Sequence, residues 1–405
     1  MIKRLALDSS IKLGKIFGIP IGVHYSWFFI FALLTTMLVR NVFPDHWTDT
    51  ERIVTAVATS VLFFASVVAH ELSHSLVAMK KGIPVARITL FVFGGVAQIT
   101  REPTKPGDEV QVAAAGPAMS FLLGGLFLVL YLIFNPINDQ LSTLSAWLGF
   151  INIQLAVFNL IPGFPLDGGR VFRGITWKLF LTRRLKRRTG IADPTAEGKE
   201  TANRESLQKA TRIASNVGRV IAWLFIGAGI TLFIVDREFS WLWIAFIGWF
   251  LENASKQAYS QMRIRNALSG LHARDVMSSD FVIVAQQTNI KDLVDHFIYL
   301  GGHTSFVVSF GQNALGMLSV RDIKSLPKDK WLTTNAGQIM TPVAKLPTVR
   351  MDEDAVSVME KLESSGYSRL LVLENGVVMG IVTYESVQRW LQPRLMLGSQ
   401  GRQID

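Results

Sequence analysis

The chain has 405 residues, of which 49% are hydrophobic and 18% are charged, with a formal net charge of +10. Its mean hydropathy of +0.32 is too apolar for a chain whose whole surface faces water, so the composition indicates a protein embedded at least partly in a membrane. The absence of cysteine excludes disulfides and thiolate metal or redox sites. The length allows two or three domains.

Six apolar segments are candidates to cross the membrane. A helix needs about 20 apolar residues to span roughly 30 Å of hydrocarbon, and the last two segments, which form a pair, are shorter than that. The six predicted spans are Pro20–Val39, Ile53–Met79, Val110–Phe134, Leu144–Ile161, Val220–Val235 and Phe239–Leu251. The basic N-terminus lacks the cleavage pattern of a signal peptide, so we expect the first span to remain as an anchor.

Lysine and arginine are distributed unevenly among the connections. They precede the first span, follow the second and crowd the connection after the fourth, whereas the loop Asn135–Thr143 contains neither. Because basic loops stay in the cytoplasm, we expect a multi-pass protein of the cell membrane with both termini cytoplasmic. This topology explains the basic charge better than nucleic-acid binding does, and no nucleic-acid partner is expected.

The cytoplasmic part of the chain contains a duplication. ARDVM at 273–277 recurs as AGQIM at 336–340, and GMLSVRD at 316–322 recurs as GIVTYES at 380–386. Two motifs that recur at nearly the same spacing, 63 and 64 residues, indicate a repeated unit. The segment Thr182–Lys209 is polar and charged, which predicts a flexible linker.

The sequence therefore predicts a polytopic α-helical membrane protein with a membrane-associated β-strand region and a cytoplasmic α/β module. The expected domains are a four-span catalytic core (1–181), a charged cytoplasmic linker (182–215), a transmembrane hairpin (216–258) and two soluble repeats (271–332 and 333–393).

The second span contains the pattern HExxH. His70 and His74 are four residues apart, so a helix projects both from one face at a distance that suits a single metal ion. Glu71 points to one side, where it can reach a water molecule on that ion. The alternative is a helix with two packed histidines and a surface glutamate. A charge at membrane depth costs several kcal/mol, which favours the metal site.

A catalytic zinc site needs a third protein ligand, and Asp167 is the candidate. It follows the fourth span in NLIPGFPLDGGR, where Pro and Gly break the helix. By itself Asp167 could equally cap the helix that begins at Gly168. His70 lies toward the cytoplasmic end of the second span, and Asp167 follows the inward-running fourth span. Both therefore reach the same leaflet, which favours a ligand.

Four motifs in this region resemble the site-2 protease family of intramembrane zinc metalloproteases. They are AHELSH at 69–74, FGGVA at 93–97, AAGPAMS at 114–120 and NLIPGFPLDGGR at 159–170. The resemblance covers roughly residues 15–180. It implies that His70, His74 and Asp167 hold one zinc ion. It also implies that Glu71 is the general base that takes a proton from the zinc-activated water.

The roles of other residues in or near these motifs are less directly indicated, and two of them have alternatives. The resemblance implies that Asn159 steadies the substrate backbone or oxyanion, but with Asn152 on the same helix face it could instead form interhelical hydrogen bonds. Val85–Thr100 predicts a strand pair or a bent strand. Its edge could bind the substrate as an added strand, through Phe93, Gly94, Gly95 and Val96, or could be a brace. The small residues Ala113–Ala118 predict close helix packing.

The duplicated unit resembles a pair of CBS domains over about 271–393. Such pairs commonly bind adenine nucleotides such as ATP or AMP between the copies. The first copy has Ser319 and Asp322, which suit phosphate and ribose, whereas the second has Thr383 but Ser386 in place of the acid. A structural tail, or one that forms a homodimer through the CBS domains, is the alternative.

Together these features predict an intramembrane zinc metalloendopeptidase that cleaves membrane-anchored proteins in the lipid bilayer and is modulated by adenine nucleotide. The alternative is a CBS-gated cation channel or transporter in which His70, Glu71 and Asp167 line the pathway. The spans show no internal repeat of the kind common in transporters, which favours the protease.

Overall fold

The chain divides into two units, Met1–Ser260 and Gln261–Asp405. A computed structural model describes residues 10–92, 94–99, 102–188, 196–299, 305–311 and 313–397. The first unit is mainly helical, and the second combines short helices with two sheets, as the sequence predicts. The helices that begin in the first unit are α1 Tyr25–Met37, α2 Asp49–Lys80, α3 Pro106–Phe134, α4 Asp139–Asn159, α5 Asp167–Arg188, α6 Ala196–Asp236 and α7 Leu242–Leu268.

Five stretches of the described residues are long and apolar enough to cross a membrane. They are Tyr25–Val42, Asp49–Lys80, Pro106–Phe134, Asp139–Asn159 and Gly198–Asp236. Each overlaps one of the first five predicted spans. The sixth predicted span, Phe239–Leu251, forms a short turn and the first part of α7. Its apolar run ends before Glu252 and is shorter than the about 20 residues that a perpendicular span requires.

A four-stranded sheet belongs to the first unit, in the order β1-β2-β3-β4. Strands β2 and β3 are parallel, and the other two pairings are antiparallel. The β3–β4 hairpin is the predicted strand pair, and β4 is an edge strand. The strands are β1 Ser10–Ile16, β2 Ile19–His24, β3 Val85–Phe91 and β4 Gly94–Ile99.

The start of the first predicted span is wrong. The sequence predicts a span from Pro20, but Ile19–His24 is strand β2 and the helix begins at Tyr25. A short apolar run in a buried strand has the same hydropathy as the end of a helix, so hydropathy does not separate them. His24 marks the boundary, because its Nδ1 accepts a hydrogen bond from the Ser26 backbone N–H at 3.2 Å and caps α1.

The prediction of a flexible linker is also wrong where the structure describes the segment. Residues up to Arg188 continue α5, and α6 begins at Ala196. Trp177 of α5 is fully buried, and its Nε1–H donates to Asn203 Oδ1 of α6 at 2.9 Å. Small residues also recur every four positions on α6 and are buried, namely Ala202, Ser206, Ala210 and Ala214. Charged residues lie between these small residues, so the buried stripe is hard to recognise from the sequence.

Helices α3 and α5 are joined by a buried ion pair. Glu109 is fully buried and Arg173 is 7% exposed. The Arg173 Nε–H donates to Glu109 Oε1 at 2.6 Å, and the guanidinium lies 5.1 Å from the centre of the Phe164 ring. A buried charge without a partner is costly, so each residue depends on the other.

The second unit contains two similar sheets, which confirms the duplication. One sheet has the order β5-β6-β7-β8 and the other β11-β10-β9. The central hairpins, β6–β7 and β10–β11, each have a register irregularity at the equivalent place, Val308/Ser309 and Val372/Leu373. The strands are β5 Val282–Ala285, β6 Ser305–Phe310, β7 Asn313–Ser319, β8 Thr341–Pro342, β9 Thr348–Val349, β10 Arg369–Glu374 and β11 Val377–Thr383.

The helices of the second unit cover the hydrophobic cores of these sheets. The first core includes Leu293, Phe306 and Leu318, and the second includes Leu268, Leu362 and Leu370, all almost fully buried. The helices are α8 Ala273–Val276, α9 Ile290–Asp292, α10 Val320–Lys324, α11 Ala336–Ile339, α12 Ala355–Ser364 and α13 Tyr384–Leu397, with a π-helical turn Leu293–Tyr299 after α9.

Removal of one charge from the Glu109–Arg173 pair is expected to destabilise the protein strongly. Glu109→Gln leaves the Arg173 guanidinium buried without its counter-charge, so the free energy of unfolding falls by about 3–5 kcal/mol. Glu200→Gln is the control, since Glu200 pairs with Arg204 on the exposed surface of α6 and contributes only about 0.2–0.5 kcal/mol. Thermal unfolding in detergent measures both, and equal losses of Tm would contradict the structural role of the buried pair.

Candidate metal centre

Helix α2 brings the two histidines of the HExxH pattern to one buried face. The helix begins with a capping box, in which Thr48 and Glu51 satisfy each other's backbone N–H groups. It then runs without interruption for 32 residues. His70 and His74, one turn apart, are both 4% exposed. Their position in the interior, and not on a lipid-facing surface, agrees with the expectation for polar groups in an apolar helix.

Three potential metal ligands converge at this face. Asp167 Oδ2 lies 3.2 Å from His70 Nε2 and 3.1 Å from His74 Nε2, and the two Nε2 atoms are 3.2 Å apart. Asp167 is the first residue of α5. Its carboxylate faces the two imidazoles, so the structure brings together the three residues that the sequence analysis selected as ligands. They form a triangle of one oxygen and two nitrogens.

The second nitrogen of each ring is held by α3. His74 Nδ1 lies 2.6 Å from the Val112 carbonyl oxygen, and His70 Nδ1 lies 2.8 Å from Ser120 Oγ. A carbonyl only accepts, so His74 Nδ1 carries the proton and the Nε2 of the neutral ring presents its lone pair. Contacts of this kind orient metal-binding histidines and raise their basicity. Neither Val112 nor Ser120 was selected as a site residue from the sequence.

Gly116 of α3 lies directly against the two Nε2 atoms. A Cβ atom built at this position would be 2.5 Å from His70 Nε2 and closer still to His74 Nε2. The sequence analysis interpreted Ala113–Ala118 only as a packing surface. The structure shows that the missing side chain of Gly116 leaves open the space in front of the ligand atoms, which any other residue would fill.

The donor set fits a zinc ion. Zinc is bound in tetrahedral geometry by imidazole nitrogen and carboxylate oxygen at about 2.0–2.2 Å, which places neighbouring ligand atoms about 3.3 Å apart. The three separations of 3.1–3.2 Å are close to this value. Three protein ligands leave the fourth position open, as in catalytic zinc sites. His70, His74 and Asp167 are therefore the residues that would hold the metal.

Glu71 lies beside this triangle and against the edge strand β4. A Cβ atom built at Gly95 would be 2.5 Å from Glu71 Cγ, so only glycine allows the strand to approach this closely. The Glu71 carboxylate also faces the Ala97 backbone of this strand. Of the residues proposed to contact substrate, Gly94, Gly95 and Val96 form the start of β4, and Phe93 lies outside the described residues.

The two asparagines of α4 differ in their surroundings. Asn152 is fully buried, and its Nδ2 donates to the Leu148 carbonyl at 2.8 Å. Asn159 is the last residue of α4 and is half-buried. Its side chain has no hydrogen-bond partner among the residues that the structure describes. Interhelical hydrogen bonding, the alternative role considered for Asn159, has no contact to support it in that part of the chain.

The three nucleotide-binding candidates lie at helix starts in the second unit. Asp322 Oδ2 accepts from the Ser319 backbone N–H at 2.8 Å and from Ser319 Oγ at 2.6 Å, which forms the capping box of α10. Thr383 Oγ1 accepts from the Ser386 backbone N–H at 3.0 Å in the second copy. These residues therefore have a structural role as caps, which any test of nucleotide binding must separate from contact with a ligand.

We expect Gly116→Ala to abolish zinc binding, because the new methyl group would occupy the space in front of both Nε2 atoms. Gly125→Ala is the matched control, since Gly125 lies on the same helix with no atom within 4 Å of a Cβ built there. The zinc content of the purified proteins measures the difference. Full zinc occupancy in Gly116→Ala would contradict this location of the metal.

Comparisons with known proteins agree with the geometry. The model of Peptidase family M50 matches residues 58–139 and 135–192, and the CBS domain model matches residues 273–329 and 336–393. "Putative zinc metalloprotease sll0528" of Synechocystis is 33% identical to this chain, covering 95% of it and 96% of the relative. "Putative zinc metalloprotease Rip3" of Mycobacterium tuberculosis is 30% identical, covering 95% and 93%.

A solved structure of a site-2 protease from Methanocaldococcus jannaschii is 29% identical, covering 62% of this chain and 95% of that chain, with a TM-score of 0.39. The extent of the match to sll0528 is sufficient to assign the family. The chain belongs to Peptidase family M50, the site-2 protease family of zinc metalloproteases, and carries two C-terminal CBS domains.

Proposed function

We propose that this multi-pass membrane protein is an intramembrane endopeptidase that cleaves membrane-anchored proteins at one zinc ion held by His70, His74 and Asp167. The observation that carries the proposal is the convergence of the three ligand atoms within 3.2 Å of one another. They come from helices far apart in the sequence, and one of those helices, α2, is apolar and long enough to cross a membrane. Hydrolysis of a peptide bond at membrane depth requires a buried polar centre such as this group of three ligand atoms.

Glu71 is the proposed general base. When bound, zinc would supply the Lewis acidity that polarises the scissile carbonyl and makes water a nucleophile near neutral pH. The Glu71 carboxylate takes the proton from that water and then donates it to the amine of the leaving peptide. Ala97 and Gly95 hold the side chain beside the metal ligands. The position of Glu71, adjacent to the ligand face and not on it, suits a base that does not bind the metal.

Strand β4 is the proposed substrate platform. A peptide bond in a transmembrane helix is protected by its own hydrogen bonds, so the substrate must unwind before cleavage. Addition of the unwound segment to an edge strand satisfies its backbone groups and keeps it extended. Gly94, Gly95 and Val96 lie on this edge strand, and Gly95 contacts Glu71. The contact with the proposed base Glu71 supports a role of β4 in substrate binding more than a purely structural role.

Asn159 is the proposed contact to the substrate backbone or to the developing oxyanion. Its half-buried amide has no hydrogen-bond partner among the described residues. An amide N–H donor that is held ready for the oxyanion lowers the barrier because it needs no reorganisation during the reaction.

The proposed orientation places the centre toward the cytoplasmic surface of the cell membrane, with both termini in the cytoplasm. The basic residues of the described helices support it, since helix α5, which follows α4, is rich in arginine and lysine and the loop 135–143 has none.

Adenine nucleotide is the proposed modulator of the CBS domains, with Ser319, Asp322 and Thr383 as contacts. The match of both copies to the CBS domain supports this proposal. The capping hydrogen bonds of Ser319 and Thr383 leave lone pairs for further partners, since a hydroxyl accepts two hydrogen bonds. The alternative, a tail that is structural or forms a homodimer, predicts no response to nucleotide.

Glu71→Gln is expected to keep zinc and lose cleavage. Loss of a general base lowers the rate by about 10²–10⁴-fold, whereas the ligand atoms are unchanged. His70→Ala is the comparison, because it should lose both zinc and cleavage. The measurements are zinc content and cleavage of tagged membrane-anchored proteins in cells that express each variant. Undiminished cleavage with Glu71→Gln would contradict the mechanism, and cation flux in liposomes without cleavage would favour the channel.

ATP or AMP is expected to raise the Tm of the full-length protein, and Asp322→Ala is expected to remove that increase. A ligand at 100 times its Kd stabilises the folded state by about 2.7 kcal/mol. Asp275→Ala is the control for the lost cap, because Asp275 Oδ2 accepts from the His272 backbone N–H at 2.8 Å in an equivalent capping box. Asp275→Ala should therefore lower the basal Tm similarly but keep the nucleotide response. A nucleotide response that persists in Asp322→Ala would argue against this binding site.

A further inference from the structure

The turn that precedes Asp167 is held by residues outside the four-span core. Ser255 of α7 is fully buried, and its hydroxyl donates a hydrogen bond to the Phe164 carbonyl oxygen. Phe164 is three residues before Asp167. The carbonyl is thus fixed by a side chain that lies some 90 residues later in the sequence.

The backbone of helix α6 approaches the backbone of the same residue, Phe164. A Cβ atom built at Gly218 would be 2.5 Å from the Phe164 oxygen and 2.8 Å from the Phe164 nitrogen. In the other direction, a Cβ atom built at Gly163 would be 2.6 Å from the Gly218 Cα. The turn and the helix therefore meet at two glycines, and any side chain at either position would push them apart.

The turn is short and internally bonded, so its position determines that of Asp167. The Leu166 N–H donates to the Gly163 carbonyl at 3.0 Å, and the Gly169 N–H donates to the Leu166 carbonyl at 3.0 Å. These hydrogen bonds leave little freedom between Phe164 and the start of α5. A displacement of Phe164 is transmitted to the Asp167 carboxylate, whose two contacts with the histidines are only 3.1 and 3.2 Å long.

We propose that Gly218 and Ser255 are positioning residues of the zinc centre. They fix the turn 163–166 and thereby set the distance from Asp167 Oδ2 to the two imidazoles. This inference rests on the proposed function, since it takes Asp167 as a metal ligand. Helices α6 and α7 would thereby contribute to the active site. Their place in the sequence, after the four-span core, does not indicate this role.

The first experiment measures the zinc affinity of the full-length protein in detergent by competition with a chelator. We expect Gly218→Ala and Ser255→Ala to bind zinc about 10–100-fold more weakly, the loss typical of residues that support a metal ligand. Gly227→Ala is the control on α6, since nothing lies within 4 Å of a Cβ built there. Asn253→Ala is the control on α7, since its exposed amide donates to the Trp249 carbonyl of the same helix. Both controls should bind zinc with wild-type affinity.

The second experiment separates positioning from a general loss of structure. If Gly218 and Ser255 act through Asp167, neither substitution should weaken zinc binding further in the Asp167→Ala background. Wild-type affinity in both single variants, or losses that add to that of Asp167→Ala, would overturn the inference. Wild-type zinc affinity in Asp167→Ala itself would instead contradict the proposed function. Ser255→Ala removes only one oxygen atom, so it provides the test even if Gly218→Ala does not fold.

Discussion

The convergence of one carboxylate oxygen on two imidazole nitrogens is the constraint on which the membrane unit depends. Asp167 Oδ2 and the Nε2 atoms of His70 and His74 form a buried triangle beside a long apolar helix. Polar groups at such a place are stable only if their positions are fixed and their hydrogen bonds are satisfied. Helix α2 supplies the histidines, α3 orients their rings through Val112 and Ser120, and α5 begins with the aspartate.

The convergence of His70, His74 and Asp167 could be predicted from the sequence, but the residues that support the three side chains could not. The HExxH spacing fixes the relation of His70 to His74 because helix geometry is local. Asp167 was recognisable because Pro and Gly interrupt the helix just before this carboxylate, in an apolar region. Gly116 and Ser120 gave no comparable signal, since their contacts depend on how α3 packs against α2. A glycine in a run of small residues predicts packing in general and does not reveal which atoms it faces.

The start of the first span and the flexible linker were both predicted wrongly because local composition does not show which residues are buried. Residues 20–23 are apolar because they form a buried strand, and hydropathy does not distinguish that strand from the adjoining helix. Helix α6 carries charges between buried small residues such as Ala202 and Ala210, so its polar composition conceals a packing face. The Glu109–Arg173 pair was also missed, because its partners are far apart in the sequence and only tertiary structure joins them.

The coordination of zinc in the purified full-length protein tests the central claim most directly. X-ray absorption at the zinc edge should show two imidazole nitrogens and carboxylate oxygen at about 2.0–2.2 Å. The Asp167→Ala protein, reloaded with zinc, should keep the imidazole signal and lose the protein oxygen. A metal shell without imidazole scattering in the unmodified protein would contradict the account.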